Sequence, residues 1–499
     1  MKHATSLLCA TLLLGAPLAD AATITVTSLN DSGAGSLRAA IAQANATPEA
    51  DTIQFQAGLQ GTIDLTGGEL VVTENLGIVG PGAGKVTIDA GDRSRVFRLN
   101  NPQGLDRTWS ISGLTIKRGA AAVAADGGDN GGGLFYESPA WASIRPTLKL
   151  SDMNFVANKS LSDGGGISVS GANLSLINVT ASDNHAAGGF QPKGGAVHLA
   201  RGQLRMDRTR IIDNTAELAG GGINLSPPGI SAVITDSLVQ GNQATLAGGG
   251  MNATTMVNLT ISRSAFVGNA VTSQTEGGGL YFSSVTDAGS AENVIENSTF
   301  SGNRTQHQFS HGAGVAVAQG NLTVRNSTFA HNATSPDTSP GQGAGGALWV
   351  GTGATTRVTV QSTLFNRNTH GNTSQAIDVA RSVTGVPQTE GTLNVDHSLF
   401  LVMPAIGTIT NASANIEADA KLQDLTLAHG GVTPVHPIPA DSPAIDKGSN
   451  PANLATDQRG AGFVRTIDFN PCRRPNVHVT DIGAYEYRAD TIFCYGFEN

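Results

Sequence analysis

Runs of glycine recur along the chain at intervals of about 30 residues, and this repeat constrains the fold more than any other feature. The runs begin at Gly131, Gly164, Gly194, Gly220, Gly248, Gly277 and Gly345, with Gly312-Ala313-Gly314 in the one long gap. Each unit holds two or three short strand patterns and no helix-length periodic segment. One unit cannot bury its own apolar side, so the units must stack on one another as a solenoid.

A second element lies between the glycine runs and ends in asparagine. Typical copies read LKLSDMNFVAN, LTISRSAFVGN and LTVRNSTFAHN, and each begins with the two-residue alternation of a strand that buries one face. Eight copies end in Asn, at Asn158, Asn184, Asn214, Asn242, Asn269, Asn303, Asn332 and Asn368. We expect these residues to form a structural column in which each amide bonds to turn backbone groups, at a net ~1 kcal/mol per bond.

Together the two elements predict an all-β fold, a right-handed parallel β-helix in which each unit is one coil. The hand follows from the strong preference of parallel strand connections for right-handed crossovers. We expect the glycines at corners, where positive φ or close backbone approach excludes other residues. The segment Ser36–Asn45 predicts an amphipathic helix that covers the N-terminal end of the stack, with Ser36 as its N-cap.

The first 21 residues predict export. Lys2, an apolar stretch and Ala19-Asp20-Ala21 match the three parts of a secretory signal peptide. No later stretch is long and apolar enough for a transmembrane helix. The net charge of −9 argues against nucleic acid as a partner. Cys472 and Cys494 remain after cleavage, and in an exported chain we expect them to pair as a disulfide.

The patterns divide the chain into five segments. We assign residues 1–21 to the signal peptide, 22–120 to an N-terminal cap with the first irregular coils, and 121–405 to the regular repeats. Residues 406–487 form a C-terminal region, and 488–499 form a short tail that is either a sorting signal or a terminal strand. We expect a monomer.

Three motifs resemble those of known families. Phe-x-x-Asn and Gly-Gly-Ala-[Ile/Leu/Val], as in FVAN, FSGN and GGAL, resemble the repeats of polymorphic outer membrane proteins. GSLRAAIAQAN resembles the capping segment of proteins named for a CSLREA motif, with Gly35 in place of its Cys and Ala39 in place of its Glu. Ser442–Tyr487 resembles the choice-of-anchor Q region of bacterial surface proteins. The resemblance implies an exported bacterial β-helix with a surface or adhesion role.

One column of side chains is the candidate ligand-binding site. In each glycine-led strand the first and third residues after the glycines are mostly apolar, so the residue between them should point outward. With Ser168 and Ala316, this column contains Phe135, His198, Asn224, Asn252, Tyr281, Trp349 and Asp378. Aromatic rings along a groove stack on sugar rings while polar groups bond to hydroxyls. The alternative is that loops from neighbouring corners cover these side chains.

Catalysis and metal binding have less support in the residues. Parallel β-helices include pectate lyases and polygalacturonases, so the fold leaves catalysis open, but the chain lacks the polygalacturonase motifs. We predict no catalytic residue, no metal ligand and no cofactor. Ca²⁺ stays as an alternative, because the side chains that flank glycine-rich turns would chelate it if neighbouring coils align them; these are Asp126, Asp129, Asp163, Asp183 and His185.

The acidic residues of the C-terminal region have a simpler interpretation. We expect Asp446, Asp457 and Asp481 to pair with Arg459 and Arg465 or to cap turns, with Ca²⁺ ligation as the alternative.

The sequence therefore predicts an exported cell-surface or extracellular β-helix with a non-catalytic, adhesin-like surface. Its partner would be a polysaccharide or a cell-surface glycan or protein. One alternative is a lyase or glycoside hydrolase that degrades polysaccharide along the same face. The other is a structural surface spacer.

Overall fold

A computed structural model describes residues 20–121, 128–139, 142–226, 230–273, 276–284, 292–307, 310–334, 345–370, 378–382, 390–405, 408–467 and 479–488. Within these ranges the chain forms one helix and 44 strands, and the paired strands run parallel. The fold is the predicted right-handed parallel β-helix. Residues 1–19 of the predicted signal peptide lie outside the described residues. Cys472 and Cys494 of the predicted disulfide lie outside them as well.

Each regular coil contains three strands and a short corner strand. The glycine-led face comprises Leu70–Val72, Phe97–Leu99, Leu134–Glu137, Ile167–Ser170, Val197–Ala200, Ile223–Ser226, the start of Met251–Ser262, Leu280–Ser284, Val315–Gln319, Leu348–Val350 and Val379–Arg381. The second face comprises Thr23–Val26, Asp51–Phe55, Leu76–Val79, Thr108–Ser112, the first halves of Thr147–Val156 and Asn173–Ser182, Gln203–Asp207, Ile230–Thr235, the end of Met251–Ser262, Val294–Glu296, Asn321–Arg325, Arg357–Gln361, Thr392–Asp396 and Asn411–Ser413.

The third face comprises Gly61–Asp64, Val86–Asp89, Thr115–Lys117, the second halves of Thr147–Val156 and Asn173–Ser182, Arg210–Ile212, Leu238–Gln240, Ala265–Val267, Thr299–Ser301, Thr328–Ala330, Leu364–Asn366, Leu399–Phe400 and Ile416–Glu417. The corner strands are Ala120–Ala121, Lys159–Ser160, His185–Ala186, Thr215–Ala216, Gln243–Ala244, Ala270–Val271, Arg304–Thr305, Ala333–Thr334 and Thr369–His370.

Apolar side chains stack inside the rod, coil on coil. Phe266, Phe300, Phe329, Phe365 and Phe400 form a continuous ring stack, with neighbouring ring centroids 4.8 to 5.3 Å apart. These rings are fully buried. Each buried side chain of this size contributes roughly 1.5–3 kcal/mol, so a repeat that cannot hold its own core is stabilised by the next one.

The predicted asparagine column is present as a hydrogen-bonded ladder. Asn214 Nδ2 donates to Asn242 Oδ1 at 2.9 Å, and Asn242 Nδ2 donates to Asn269 Oδ1 at 2.9 Å. The same bond links every neighbouring pair from Asn158 to Asn368. Each Oδ1 also accepts from a backbone N–H of the preceding coil, as Asn242 Oδ1 does from Asn214 N at 3.0 Å. The register of the repeat is therefore set by buried polar contacts as well as by apolar packing.

The glycine runs are explained by two separate requirements. The first glycine of each run has positive φ, for example +68° at Gly164 and +62° at Gly248, which other residues adopt only with strain. The later glycines lie against the backbone of the next coil, and a Cβ on Gly250 would lie 2.6 Å from the Gly279 carbonyl oxygen. One run thus turns the corner and lets two coils approach.

Both ends of the stack carry additional structure. The predicted capping helix is Leu37–Ala44; Ser36 Oγ accepts from Ala39 N at 3.2 Å, and the helix buries its apolar side on the first coils. After the last strand, residues 418–467 and 479–488 fold back along the third face, and we call them the C-terminal clasp. In the described parts of the chain, no helix has the length and apolar character to cross a membrane.

Candidate functional site

The predicted outward column does form one row across the glycine-led face. Strand pairing aligns Phe135 with Ser168, His198, Asn224, Asn252, Tyr281, Ala316 and Trp349 in succession. Asp378 was wrongly included, because Trp349 pairs with Ala380. Asp378 Oδ1 instead accepts from Asn368 Nδ2 at 2.7 Å and ends the asparagine ladder, and burial raises the pKa of its carboxyl to about 7.

The expectation that this row is an exposed stripe is wrong for most of it. Phe135, His198, Asn224, Asn252 and Trp349 are at most 9% exposed, and only Tyr281 is half-buried. The physical reason is the tight turn at each glycine run, which folds the preceding chain over the strand that follows. A Cβ on Gly164, for example, would lie 2.8 Å from the Ser168 Cβ.

The buried row carries a polar chain. Asn252 Nδ2 donates to Asn224 Oδ1 at 2.7 Å, and Asn224 Nδ2 lies 3.1 Å from His198 Nδ1. His198 Nε2 lies 3.5 Å from Asp163 Oδ2, and Asp163 Oδ1 accepts from Lys193 N. Burial lowers the pKa of His198, an effect that Asp163 partly offsets, so the imidazole is neutral near pH 7. Each of these polar side chains thus has a polar partner on a neighbouring coil, and the chain of contacts links four coils and stabilises the stack.

The aromatic end of the row is packed in a similar way. The His311 ring stacks on Trp349 at 5.0 Å, and Tyr281 packs against the small cluster of Ala316, Trp349 and Ala380. Glu276 precedes its glycine run, and burial raises the pKa of its carboxyl to about 7. The pKa of Tyr281 is raised by burial and then by Glu276. Glu276 is therefore protonated part of the time at neutral pH.

A different row of side chains reaches solvent, on the third face. Strand pairing aligns its outward residues in one line, which we call the outer row: Thr62, Thr87, Thr115, Asn154, Thr180, Arg210, Leu238, Ala265, Thr299, Thr328, Leu364 and Leu399. The six residues from Thr62 to Arg210 are all polar, and all but Thr115 are exposed or half-buried. Sequence analysis did not single out this row.

A groove of about 600 Å³ lies beside two residues in the polar half of the outer row, Asn154 and Thr180. Asn154 and Thr180 form its floor with Asp152 and Asn178, whose side chains are joined by an Asn178 Nδ2–Asp152 Oδ1 bond of 2.7 Å. The segment 79–83 forms one wall, and Val79 there is 51% exposed. We call this the third-face groove.

The wall is tied to the floor through Thr115. Its hydroxyl oxygen accepts from Gly84 N at 3.1 Å and from Asn154 Nδ2 at 3.3 Å. The loop beside the groove is therefore held in place by the row that it borders, and the groove is formed before a ligand arrives.

The C-terminal clasp covers the other half of the outer row. From Leu238 to Leu399 every outer-row residue is at most 3% exposed. Thr299 Oγ1 donates to Gln458 Oε1 at 2.6 Å, and Ala484 N donates to Thr328 Oγ1 at 2.9 Å. The clasp therefore replaces solvent with specific contacts over this half of the outer row.

The clasp is held by buried charges, in line with the prediction for Asp457. Arg459 pairs with Asp457 at 2.6 Å, and its guanidinium lies 4.1 Å from the Phe463 ring and 3.9 Å from the Tyr485 ring. Asp481 accepts from Asp446 N and Tyr487 N, which caps turns as expected. Arg465 does not bond to the Asp481 carboxylate; it donates to the backbone oxygen of that residue.

The residues considered for Ca²⁺ are not brought together. Across the described ranges, no three His, Cys, Asp or Glu side chains form a group that fits a metal ion. Asp163 is engaged with Lys193 N, Asp183 is exposed, and Asp126 lies outside the described residues.

No family model and no curated protein matches this chain. Among solved structures, similar chains include pectate lyase Pel9A, at 15% identity and a TM-score of 0.40, covering 95% of this chain and 98% of that one. A PL6 alginate lyase in complex with a trisaccharide is 11% identical, at a TM-score of 0.38, with coverage of 85% and 92%. The alginate lyase AlyF-OU02 is 10% identical, at a TM-score of 0.37, with coverage of 89% and 94%. The fold assignment rests on the strand register given above.

Proposed function

We propose that this protein is an exported β-helix that binds polysaccharide in the third-face groove and acts as a non-catalytic, adhesin-like surface. The observation that supports the proposal is the division of the outer row. Its polar half, from Thr62 to Arg210, includes Asn154 and Thr180, which line an open groove, whereas the remaining half is buried.

The chemistry of the open half suits a carbohydrate. Threonine hydroxyls and the Asn154 amide offer both donors and acceptors to sugar hydroxyls. Val79 and Pro81 in the wall offer apolar surface to the faces of sugar rings. Because coils stack at ~4.8 Å, the polar groups form a regular series along the rod. A repeating polymer can meet such a series many times.

Export is part of the same proposal. The signal-peptide pattern and the resemblance to surface β-helix families support an extracellular or cell-surface location, where polysaccharides are abundant. A signal-sequence fusion that leaves the reporter inside the cell would contradict it.

Affinity gel electrophoresis with embedded neutral and acidic polysaccharides tests the binding. We expect at least one polymer to retard the wild-type protein, and Asn154→Ala/Thr180→Ala to lose about 2 kcal/mol of binding free energy, roughly thirty-fold in Kd. The matched control is Thr323→Ala/Thr359→Ala, a similar truncation on the second face. If no polymer retards the wild type, the protein is a structural spacer.

Glu276 favours a second candidate, a polysaccharide-degrading enzyme. A carboxyl with a pKa of about 7 is suited to proton transfer at neutral pH, and, in addition to burial, Glu276 helps to raise the pKa of Tyr281. Incubation with the same polymers and detection of new reducing or unsaturated ends tests this candidate. Product formed by the wild type and abolished in Glu276→Gln would replace the binding-only proposal.

A further inference from the structure

We propose that the polysaccharide bound by this protein is acidic, and that its carboxylate or sulfate groups bind to three arginines on a single coil. This inference rests on the proposed function and specifies the class of ligand. The coil is Gln203–Ile212, with the sequence QLRMDRTRII, and we call it the arginine coil.

The three arginines lie on three consecutive parts of the molecular surface. Arg205 is on the second face, where it pairs with Ser175 and Val233. Arg208 has φ +47° and occupies the corner. Arg210 is on the third face, where it pairs with Thr180, a residue that lines the third-face groove. All three side chains are exposed, so a polymer lying across this corner meets all of them.

Two of these arginines carry unneutralised charge. Arg208 pairs with Asp207 at 3.0 Å. For Arg205 and Arg210, no carboxylate in the described parts of the chain lies within ion-pair distance. Lys149 lies two coils from Arg205 in the same outward line and is also exposed. The corner therefore has a local excess of positive charge on a chain whose net charge is −9.

Other outward arginines at this edge of the rod are neutralised. Arg263 pairs with Asp236 at 2.8 Å, and Arg325 pairs with Glu296 at 2.8 Å. Unlike Arg263 and Arg325, Arg205 and Arg210 therefore keep their charge without a carboxylate partner among the described residues.

Both sides of the arginine coil have room for a ligand. Arg205 lines a second open groove of about 250 Å³ with Asn173, Gln203 and Ser231. The third-face groove lies on the other side, and its lining residue Thr180 pairs with Arg210. Its one carboxylate, Asp152, is bonded to Asn178 and lies two coils from Arg208 along the corner.

Guanidinium groups are suited to this ligand. Each binds a carboxylate or sulfate through two parallel N–H···O bonds, which a neutral hydroxyl cannot provide. A nucleic acid would present the same kind of charge, but the acidic remainder of this protein would repel a long, dense polyanion. We therefore infer a polysaccharide with spaced acidic groups.

Binding of polygalacturonate, dextran sulfate, neutral dextran and duplex DNA to Arg205→Gln/Arg210→Gln tests the inference. The matched control is Arg304→Gln/Arg357→Gln, which removes two exposed arginines elsewhere on the rod. We expect polygalacturonate or dextran sulfate to bind the wild type more tightly than neutral dextran. We expect the double variant to lose roughly tenfold in affinity for that acidic polymer, and the control to lose little. Higher salt should weaken only the acidic ligand.

The outcomes separate the two proposals. Tight binding of a neutral polymer, with no preference for acidic ones and no effect of Arg205→Gln/Arg210→Gln, would overturn the inference and leave the proposed function standing. DNA bound more tightly than either acidic polysaccharide, with the same dependence on the two arginines, would overturn the ligand class. Preference for carboxylate or for sulfate identifies the acidic group.

Discussion

The two halves of the outer row on the third face follow the same backbone but have opposite surroundings. From Thr62 to Arg210 the side chains are polar, and Asn154 and Thr180 among them line a groove. From Leu238 to Leu399 they are buried on the side that the C-terminal clasp covers. The covered half has two hydroxyl side chains, Thr299 and Thr328, and each forms a hydrogen bond with a residue of the clasp. The same repeat therefore leaves one half of this row polar and largely accessible and buries the other half where the clasp packs on it.

The largest expected effect comes from breaking the clasp. Arg459→Ala leaves the buried Asp457 carboxylate unpaired and removes the guanidinium between Phe463 and Tyr485. We expect the opening free energy of the clasp to fall by about 3–5 kcal/mol. Amide hydrogen exchange of residues 418–467 measures this change, and exchange in residues 147–216 should stay as in the wild type.

A matched variant shows whether the effect depends on burial. Arg93→Ala removes the arginine of the exposed ion pair with Asp64. We expect it to lower the local opening free energy around that pair by at most about 1 kcal/mol. Equal effects of Arg459→Ala and Arg93→Ala would mean that the clasp does not depend on its buried charge.

A smaller effect is expected when pH falls. His436 Nε2 lies 2.9 Å from Ser301 Oγ, and Nδ1 lies 2.8 Å from the Gln423 carbonyl oxygen, so Nδ1 donates and Nε2 accepts. Burial lowers the pKa of His436 from 6.5 to about 4. The pKa of His436 is therefore lower in the folded protein than in the unfolded chain. The neutral, buried His436 contributes its full stabilisation above pH 6.5, and this contribution, up to about 3 kcal/mol, is lost as the pH falls towards 4.

Comparison with His436→Gln isolates this contribution. Asp481 and Glu486 have raised pKa values, about 6 and about 9, so their stabilisation is greatest at low pH and is lost as pH rises. Both proteins contain these two groups, so they cancel in the comparison. The wild-type clasp should lose more protection than His436→Gln between pH 7 and pH 4; identical losses would contradict the assignment.

The smallest expected effect compares one substitution in each half. Thr299→Val leaves Gln458 Oε1 without its donor in a buried interface, at about 1–3 kcal/mol. Thr180→Val is the same substitution in the open half of the row. We expect it to alter the free energy of unfolding by no more than about 0.5 kcal/mol. Chemical denaturation of the two variants measures the difference. Equal costs would show that the two halves are not distinct environments.

The fold could be predicted because its signals are local and repeated. The glycine runs mark corners and close approaches, and the two-residue alternation of each copy marks strands. The asparagine that ends each copy marks the ladder, and Ser36 marks the start of the capping helix. Because every coil repeats the same signals, the register of one coil supports that of the next.

The candidate site could be predicted only in part. Alternation tells which side chains point out of the rod, but it does not tell what lies over them, so the row of His198 and Trp349 was taken as exposed. Asp378 was misaligned because its coil has no glycine run to mark the register. Part of a signal for the outer row was present, since this repeat position changes from Asn154, Thr180 and Arg210 to Leu238 and Ala265, but Thr299 and Thr328 are polar again in the covered half.

Hydroxyl-radical footprinting with a bound polysaccharide tests the central claim most directly. Val79 lines the third-face groove, and Arg210 lies one coil from its lining residue Thr180. Phe190, 84% exposed, precedes the run at Gly194 on the glycine-led face, and Leu427, 49% exposed, lies on the clasp. We predict that the polymer lowers the oxidation of Val79 and Arg210 and leaves Phe190 and Leu427 unchanged. Protection of Phe190 with Val79 and Arg210 still reactive would place the ligand on the other face and contradict the account.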